Sequence, residues 1–140
     1  MSLLSPYFLS ISNFLNILLA TSVIGICAIG STFVISSAGL DLSVGSVMGL
    51  AGVAGAVVMT QFELNWVFGI LACIIAGGVA GFFNGLLVTR AQIPAFIVTL
   101  GMLGVARGAA LLLCDGKPIY GLSNGFLFLG QGRPFGIPFP

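Results

Sequence analysis

Charged side chains are scarce in this sequence, and histidine is missing altogether. Its 140 residues include four Lys or Arg, three Asp or Glu and no His, so charged residues make up only 5%. A soluble domain carries about 25% charged residues, and this chain could not cover a globular surface with polar groups. The lack of His removes the commonest acid–base group and metal ligand. Because no basic block is present either, no nucleic-acid partner is expected. The composition therefore predicts an integral membrane protein.

Cysteine is also scarce, and motifs that carry catalysis are missing. Cys27, Cys73 and Cys114 each lie within an apolar run, and their spacing matches neither a zinc site nor a redox motif. We interpret them as small buried hydrophobic residues. The sequence contains no phosphate-binding loop, no candidate general base and no cluster of metal ligands. No enzymatic activity, no cofactor and no metal site are therefore expected.

Apolar runs dominate what is present, since 59% of the residues are hydrophobic. A helix needs about 20 apolar residues to cross a bilayer, and four segments approach or exceed that length. The four predicted membrane segments are about 14–36, 44–60, 64–88 and 95–114. Residues 1–13 are interpreted as an interfacial lead-in, and the Gly- and Pro-rich residues 115–140 as a loop or re-entrant segment. The predicted fold class is all-α and polytopic, with one segment short or broken after Asp41.

A polar, glycine-bearing stretch over residues 36–46 separates the first two apolar runs and contains Asp41. Gly39 is expected to close the preceding helix in a left-handed conformation. Asp41 or Ser43 is expected to cap the helix that follows. A carboxylate between apolar helices is costly unless it faces water, a partner or a cavity. Two interpretations are open: a solvated turn with one capping acid, or a broken helix lining a substrate pathway with Asp41 and Ser43 in it.

Glycines recur at spacings of three and four along the later segments. Small residues on one helix face allow another backbone to approach closely. Helix packing is expected at Gly45, Gly49, Gly77, Gly81, Gly85, Gly104 and Gly108. The alternative of a phosphate loop is disfavoured because these glycines lie within helical runs and no Lys follows. Asn84 lies among them and is a candidate for a hydrogen bond to a neighbouring helix.

Arg107 is a charged residue placed well inside the fourth segment. It lies about 20 Å along a helix that begins at Ala95, at 1.5 Å per residue. Its side chain either reaches the nearer membrane interface or faces the bundle interior and pairs with an acid or a polar substrate in the pathway. Cytoplasmic loops carry an excess of Lys and Arg. With Arg90 on one side and Lys117 and Arg133 on the other, charge alone weakly places the C-terminus inside.

Several stretches in consistent order resemble one family. Residues 39–47, Gly-Leu-Asp-Leu-Ser-Val-Gly-Ser-Val, resemble the G-(I/L)-D-L-S-V-G-S signature of ribose-type ABC importer permeases. Further resemblance to that family is found at residues 5–16, 84–89 and 93–102, at Arg107-Gly108 and at Gly132-Arg133-Pro134. The match runs in register from about Leu4 to Pro140.

The resemblance implies a multi-pass permease subunit of a monosaccharide importer in the bacterial inner membrane. It implies that the chain works with a second permease subunit, cytoplasmic ATP-binding subunits that hydrolyse ATP, and a periplasmic sugar-binding protein. It also implies contact with membrane lipid. It also implies that Arg90 faces the cytoplasm and that the loop after Cys114 faces the periplasm. This orientation is opposite to the one that charge favours, and we adopt the orientation of the family.

Members of this family have an additional helix before the region of Ser5, and a second half that docks on the ATPase. Neither is matched here, so the sequence is expected to correspond to the N-terminal half of a permease, as a fragment, a truncated product or a split subunit. Two other functions stay open: a non-ABC carrier or channel subunit, and a non-functional membrane remnant. Neighbouring genes for a sugar-binding protein and an ATPase would favour the importer.

Overall fold

Helices account for all the regular secondary structure in the part of the chain that the structure describes. The computed structural model describes residues 10–132. Its helices are α1 Ile11–Ser36, α2 Val44–Thr60, α3 Trp66–Thr89, α4 Ala95–Leu113 and α5 Asn124–Gln131. The predicted all-α class is confirmed, and so is the break that follows the first long helix.

The four longer helices lie within three residues of the predicted segment boundaries. The segment 115–140, interpreted as a loop or re-entrant segment, contains the short helix α5 at Asn124–Gln131, while residues 133–140 lie outside the described part. Proline interrupts helices because it lacks an N–H and clashes with the preceding turn. Pro118 and Pro134 flank a stretch without proline, and this stretch has room for the eight residues of α5.

Within residues 10–132, three helices are long and apolar enough to cross a bilayer: α1 with 26 residues, α3 with 24 and α4 with 19. The 17 residues of α2 rise about 26 Å, slightly less than a hydrocarbon core of about 30 Å. Large apolar side chains cover the outside of these helices, as at Phe82, which is 66% exposed, and Leu112, which is 80% exposed. Lipid tails match such a surface, so this is a multi-pass membrane protein.

Two compact units can be distinguished along the chain. Phe33–Ser123 forms one unit, and the flanking parts form the other, of which residues 10–32 and 124–132 are described. Within Phe33–Ser123, α2 packs against both α3 and α4, whereas α3 and α4 touch each other less. The short helix α2 is therefore the centre of a three-helix bundle.

The crossing of α2 and α3 depends on two glycines that approach each other closely. A Cβ atom at Gly55 would overlap the Cys73 Sγ and lie 2.8 Å from the Gly69 carbonyl oxygen. A Cβ atom at Gly69 would lie 2.7 Å from the Met59 Cγ. Gly55, Met59 and Gly69 are all buried. Because neither glycine carries a side chain, the two backbones can come into contact here.

Candidate functional site

The break between α1 and α2 begins with a Schellman motif. The Gly39 N–H donates to the Val34 carbonyl at 3.0 Å, and the Ala38 N–H donates to the Ile35 carbonyl at 2.9 Å. These two bonds satisfy carbonyls that would otherwise be free at the helix end. The left-handed residue is Ala38, with φ of 57°, so the expectation that Gly39 takes this conformation is wrong.

Gly39 instead lies close to the preceding helix. A Cβ atom at Gly39 would lie 3.1 Å from the Val34 Cγ1 and 3.2 Å from the Val34 carbonyl oxygen. The same hydrogen bond that closes the helix brings the Gly39 backbone against the last turn, so a side chain there would be tightly packed against Val34. Glycine therefore permits a close approach at this position, and its freedom at positive φ is not used.

Asp41 closes a short turn immediately before α2. Its Oδ1 accepts hydrogen bonds from the Ser43 backbone N–H at 2.7 Å and from the Ser43 hydroxyl at 2.6 Å. Ser43 occupies the N-cap position of α2, but its side chain makes no capping hydrogen bond. The Asp41 carboxylate thus holds Ser43 at the cap position. Contrary to expectation, no side chain among the described residues caps the first turn of α2.

Asn84 of α3 extends this pair into a three-residue network. The Asn84 Nδ2 donates to the Ser43 Oγ at 3.1 Å. Ser43 is 1% exposed and Asn84 is 8% exposed. The Asn84 carboxamide oxygen, Oδ1, is buried and accepts no hydrogen bond from the described residues. The predicted bond from Asn84 to a neighbouring helix element is therefore confirmed, with Ser43 as the acceptor.

Thr99 of α4 holds the break from the opposite helix. Its hydroxyl lies 3.1 Å from the Leu40 carbonyl oxygen and 2.8 Å from the Ala95 carbonyl oxygen of its own helix. Thr99 is buried at 4% exposure. The break is thus held by one polar side chain from α3 and one from α4. No role for Thr99 was predicted from the sequence. A single hydroxyl within the otherwise apolar first turns of α4 is the signal that could have found it.

A cavity of about 490 Å³ lies beside the break, between the C-terminal half of α3 and the start of α4. Its polar lining residues are Ser37, Asp41, Asn84, Thr89, Gln92 and Thr99. A second cavity of about 290 Å³ lies against α2 and also includes Ser43. Asp41, Gly81 and Asn84 line both cavities. A polar turn and a cavity, which the sequence left as alternatives, occur together here.

Arg107 lies in a different groove from Asp41 and Ser43. This groove, of about 370 Å³, is lined by Arg107, by small residues of α2 that include Gly45 and Gly49, and by other side chains of α2 and α4. Arg107 is exposed, and none of the described carboxylates forms an ion pair with it. Two of the three predicted pathway residues, Asp41 and Ser43, are therefore hydrogen-bonded to each other. The third, Arg107, lies beside the first turns of α2.

The predicted packing glycines lie in open space within the described chain. A Cβ atom would meet no other atom within 4 Å at Gly45, Gly49, Gly77, Gly81, Gly85, Gly104 or Gly108. Gly81 and Gly85 instead line the larger cavity, where the missing side chains leave room. Helix packing at these seven glycines stays a prediction. The contact at Gly69 was missed, although the α3 spacing of four continues through Cys73 to that position.

Comparison with known proteins gives one family match and several relatives. Residues 13–121 match the family described as "Branched-chain amino acid transport system / permease component". The chain is 39% identical to the ribose import permease protein RbsC of Escherichia coli K12, over 99% of this chain and 44% of that protein. It is 43% identical to RbsC of Bacillus subtilis, over 99% of this chain and 44% of that protein.

Relatives named for other solutes are similar as well. The chain is 36% identical to the L-arabinose ABC transporter permease protein AraH of Azospirillum brasilense, over 100% of this chain and 41% of that protein. It thus spans less than half the length of each of these three relatives. No solved structure matches the chain significantly.

Proposed function

We propose a transport function for this chain, which belongs to the family of permease components described for branched-chain amino acid transport systems. It forms part of the membrane pathway of a binding-protein-dependent importer for monosaccharides. The observation that carries this proposal is the 39–43% identity to ribose import permeases over 99% of the chain. The cavity beside the Asp41 break supplies a place within the bundle where a solute of that size fits.

The chemistry of the cavity favours a neutral, hydroxyl-rich solute over an amino acid. Its volume of about 490 Å³ falls within the range of about 300–1,000 Å³ typical of small-molecule sites. The Asp41 carboxylate in its wall accepts hydrogen bonds from hydroxyl groups, and the described lining residues include no Lys or Arg to pair with the carboxylate of an amino acid. Relatives named for ribose and L-arabinose agree with this preference.

The three predicted pathway residues take different roles in this proposal. Asp41 lines the cavity and contacts the solute. Ser43 is buried and bonded to Asp41, so it is a positioning residue that acts through that carboxylate. Arg107 lies in the separate groove beside α2, and we assign it to another depth of the pathway, where it meets a polar solute or an acidic side chain of a partner subunit.

The proposed partners are a second permease subunit, cytoplasmic ATP-binding subunits and a periplasmic sugar-binding protein. ATP hydrolysis belongs to the ATP-binding subunits. We place Arg90, after α3, on the cytoplasmic side and Lys117, after α4, on the periplasmic side. Similarity to permeases that span more than twice the matched length supports transport by an assembly of more than these helices.

The test is solute uptake by cells that lack their own ribose permease but retain the cognate binding protein and ATPase. The protein is expressed from its own gene, with and without the C-terminal half of a ribose permease as a second polypeptide, and uptake of labelled D-ribose, L-arabinose and L-leucine is measured. Uptake of a pentose that depends on the ATPase is expected. ATPase-independent uptake would favour a carrier or channel, leucine uptake would favour an amino acid permease, and no uptake of any of the three would favour a non-functional remnant.

A further inference from the structure

The orientation of the Asn84 carboxamide is determined by its neighbours in the network. The Ser43 hydroxyl has one proton, and it donates this proton to the Asp41 Oδ1 at 2.6 Å. The Ser43 oxygen can then only accept from Asn84, so the group facing it at 3.1 Å is the amide Nδ2. The Asn84 Oδ1 is consequently directed away from Ser43, and it is the atom left without a donor among the described residues.

A buried acceptor without a donor is unusual in a folded protein. Most buried polar atoms are paired, and an unpaired one costs free energy because it has lost water without gaining a partner. Asn84 is 8% exposed and lines both cavities together with Asp41. The hydrogen bonds that Asp41 accepts from Ser43 both end on Oδ1, so its other carboxylate oxygen, Oδ2, receives neither of them. The Asn84 Oδ1 and the Asp41 Oδ2 thus accept no hydrogen bond from Ser43. Both residues line both cavities.

We propose that the Asn84 Oδ1 accepts a hydrogen bond from a hydroxyl group of the transported solute and thereby selects hydroxyl-rich solutes. This inference rests on the proposed function and deepens it by naming a specificity-determining atom. Asp41 and Ser43 orient the carboxamide, and Asp41 offers a second acceptor. A solute that lacks the matching hydroxyl leaves a buried acceptor unpaired, and sites of this kind reject such analogues strongly.

The experiment compares D-ribose with its 2-deoxy, 3-deoxy and 5-deoxy analogues in the ATPase-dependent uptake assay. The measured quantity is the ratio of ribose uptake to deoxyribose uptake, in wild type and in Asn84→Leu, which keeps the branching at Cγ but has no polar atoms. The binding protein is the same in both strains, so its own preference cancels when the two ratios are compared. For at least one analogue, wild type should favour ribose and Asn84→Leu should reduce that preference by roughly tenfold.

Thr60→Val is the matched control, because Thr60 bonds to the Ala56 carbonyl of its own helix and lines neither cavity. Its ratios should equal those of wild type. If Asn84→Leu does not reach the membrane, Ser43→Ala is used in its place. This change removes the hydroxyl that orients the Asn84 carboxamide, so it should also lower the ratio of ribose uptake to deoxyribose uptake. A loss of uptake with unchanged ratios for every analogue would overturn the inference and show a purely structural role. Absence of sugar uptake by wild type would instead overturn the proposed function, and the inference with it.

Discussion

Replacement of Gly55 by Ala tests the geometry of the α2–α3 crossing. The added Cβ would lie 2.8 Å from the Gly69 carbonyl oxygen, whereas ordinary contact begins at 3.4 Å, so the helices must separate by about 0.6 Å. The Cβ would also overlap the Cys73 Sγ, but the Gly69 oxygen is a backbone atom, so no side-chain rotation can remove that second obstruction. Overpacking of this kind typically costs about 1–3 kcal/mol, and it affects the pair of helices with the most extensive contact in the unit.

Gly52→Ala is the matched control on the same helix. A Cβ atom at Gly52 meets no other atom within 4 Å. Both substitutions gain the same helix propensity, up to about 1 kcal/mol, so this contribution cancels when the two variants are compared. Gly55→Ala should therefore be less stable than Gly52→Ala by about 1–3 kcal/mol. Thermal melting of the detergent-solubilised protein, followed by size-exclusion chromatography, measures the difference.

The double variant Gly55→Ala with Cys73→Ala sharpens the test. It removes the overlap with the Cys73 sulfur but leaves the contact with the Gly69 oxygen. The two changes should therefore couple favourably, and the double variant should be more stable than the sum of the single effects predicts. Equal melting temperatures for Gly55→Ala and Gly52→Ala would refute the crossing geometry.

Three further predictions address the break, the cavity and the orientation. Asp41→Ala removes the acceptor of two hydrogen bonds from Ser43 and should lower stability by about 1–3 kcal/mol. Asp41→Asn keeps an acceptor and should lower it less; equal melting of both variants and wild type would contradict the role of this turn. Gly81→Leu should abolish sugar uptake by filling the cavity. It should not lower the melting temperature of the solubilised chain, because nothing lies within 4 Å of the Cβ position and the substitution gains helix propensity; a lower melting temperature would indicate a helix contact at Gly81. Single cysteines are introduced at the positions of Arg90 and Lys117 in a background without native cysteines. On intact cells, an impermeant thiol reagent should label the cysteine at 117 only. Labelling at 90 only would invert the orientation.

The membrane class and the helix positions follow from the sequence alone, because they depend on local composition. A run of apolar residues must form a helix in lipid to satisfy its backbone groups, and polar breaks mark where each run ends. The boundaries of α2, Val44–Thr60, therefore agree with the predicted 44–60. The exception is α5, whose eight residues are too few and too rich in glycine to stand out from the predicted loop.

Only the tertiary structure decided which small and polar residues meet. Gly55 and Gly69 are in contact and Gly81 is open, although all three belong to similar glycine spacings, because the crossing point of two helices is a non-local property. In the same way, Asn84 is 41 residues from Ser43 in the chain and bonds to it only because α3 packs beside the start of α2. The sequence by itself identified Asp41 as the centre of the break, whereas the cavity and the unpaired Asn84 oxygen exist only once the three helices are assembled.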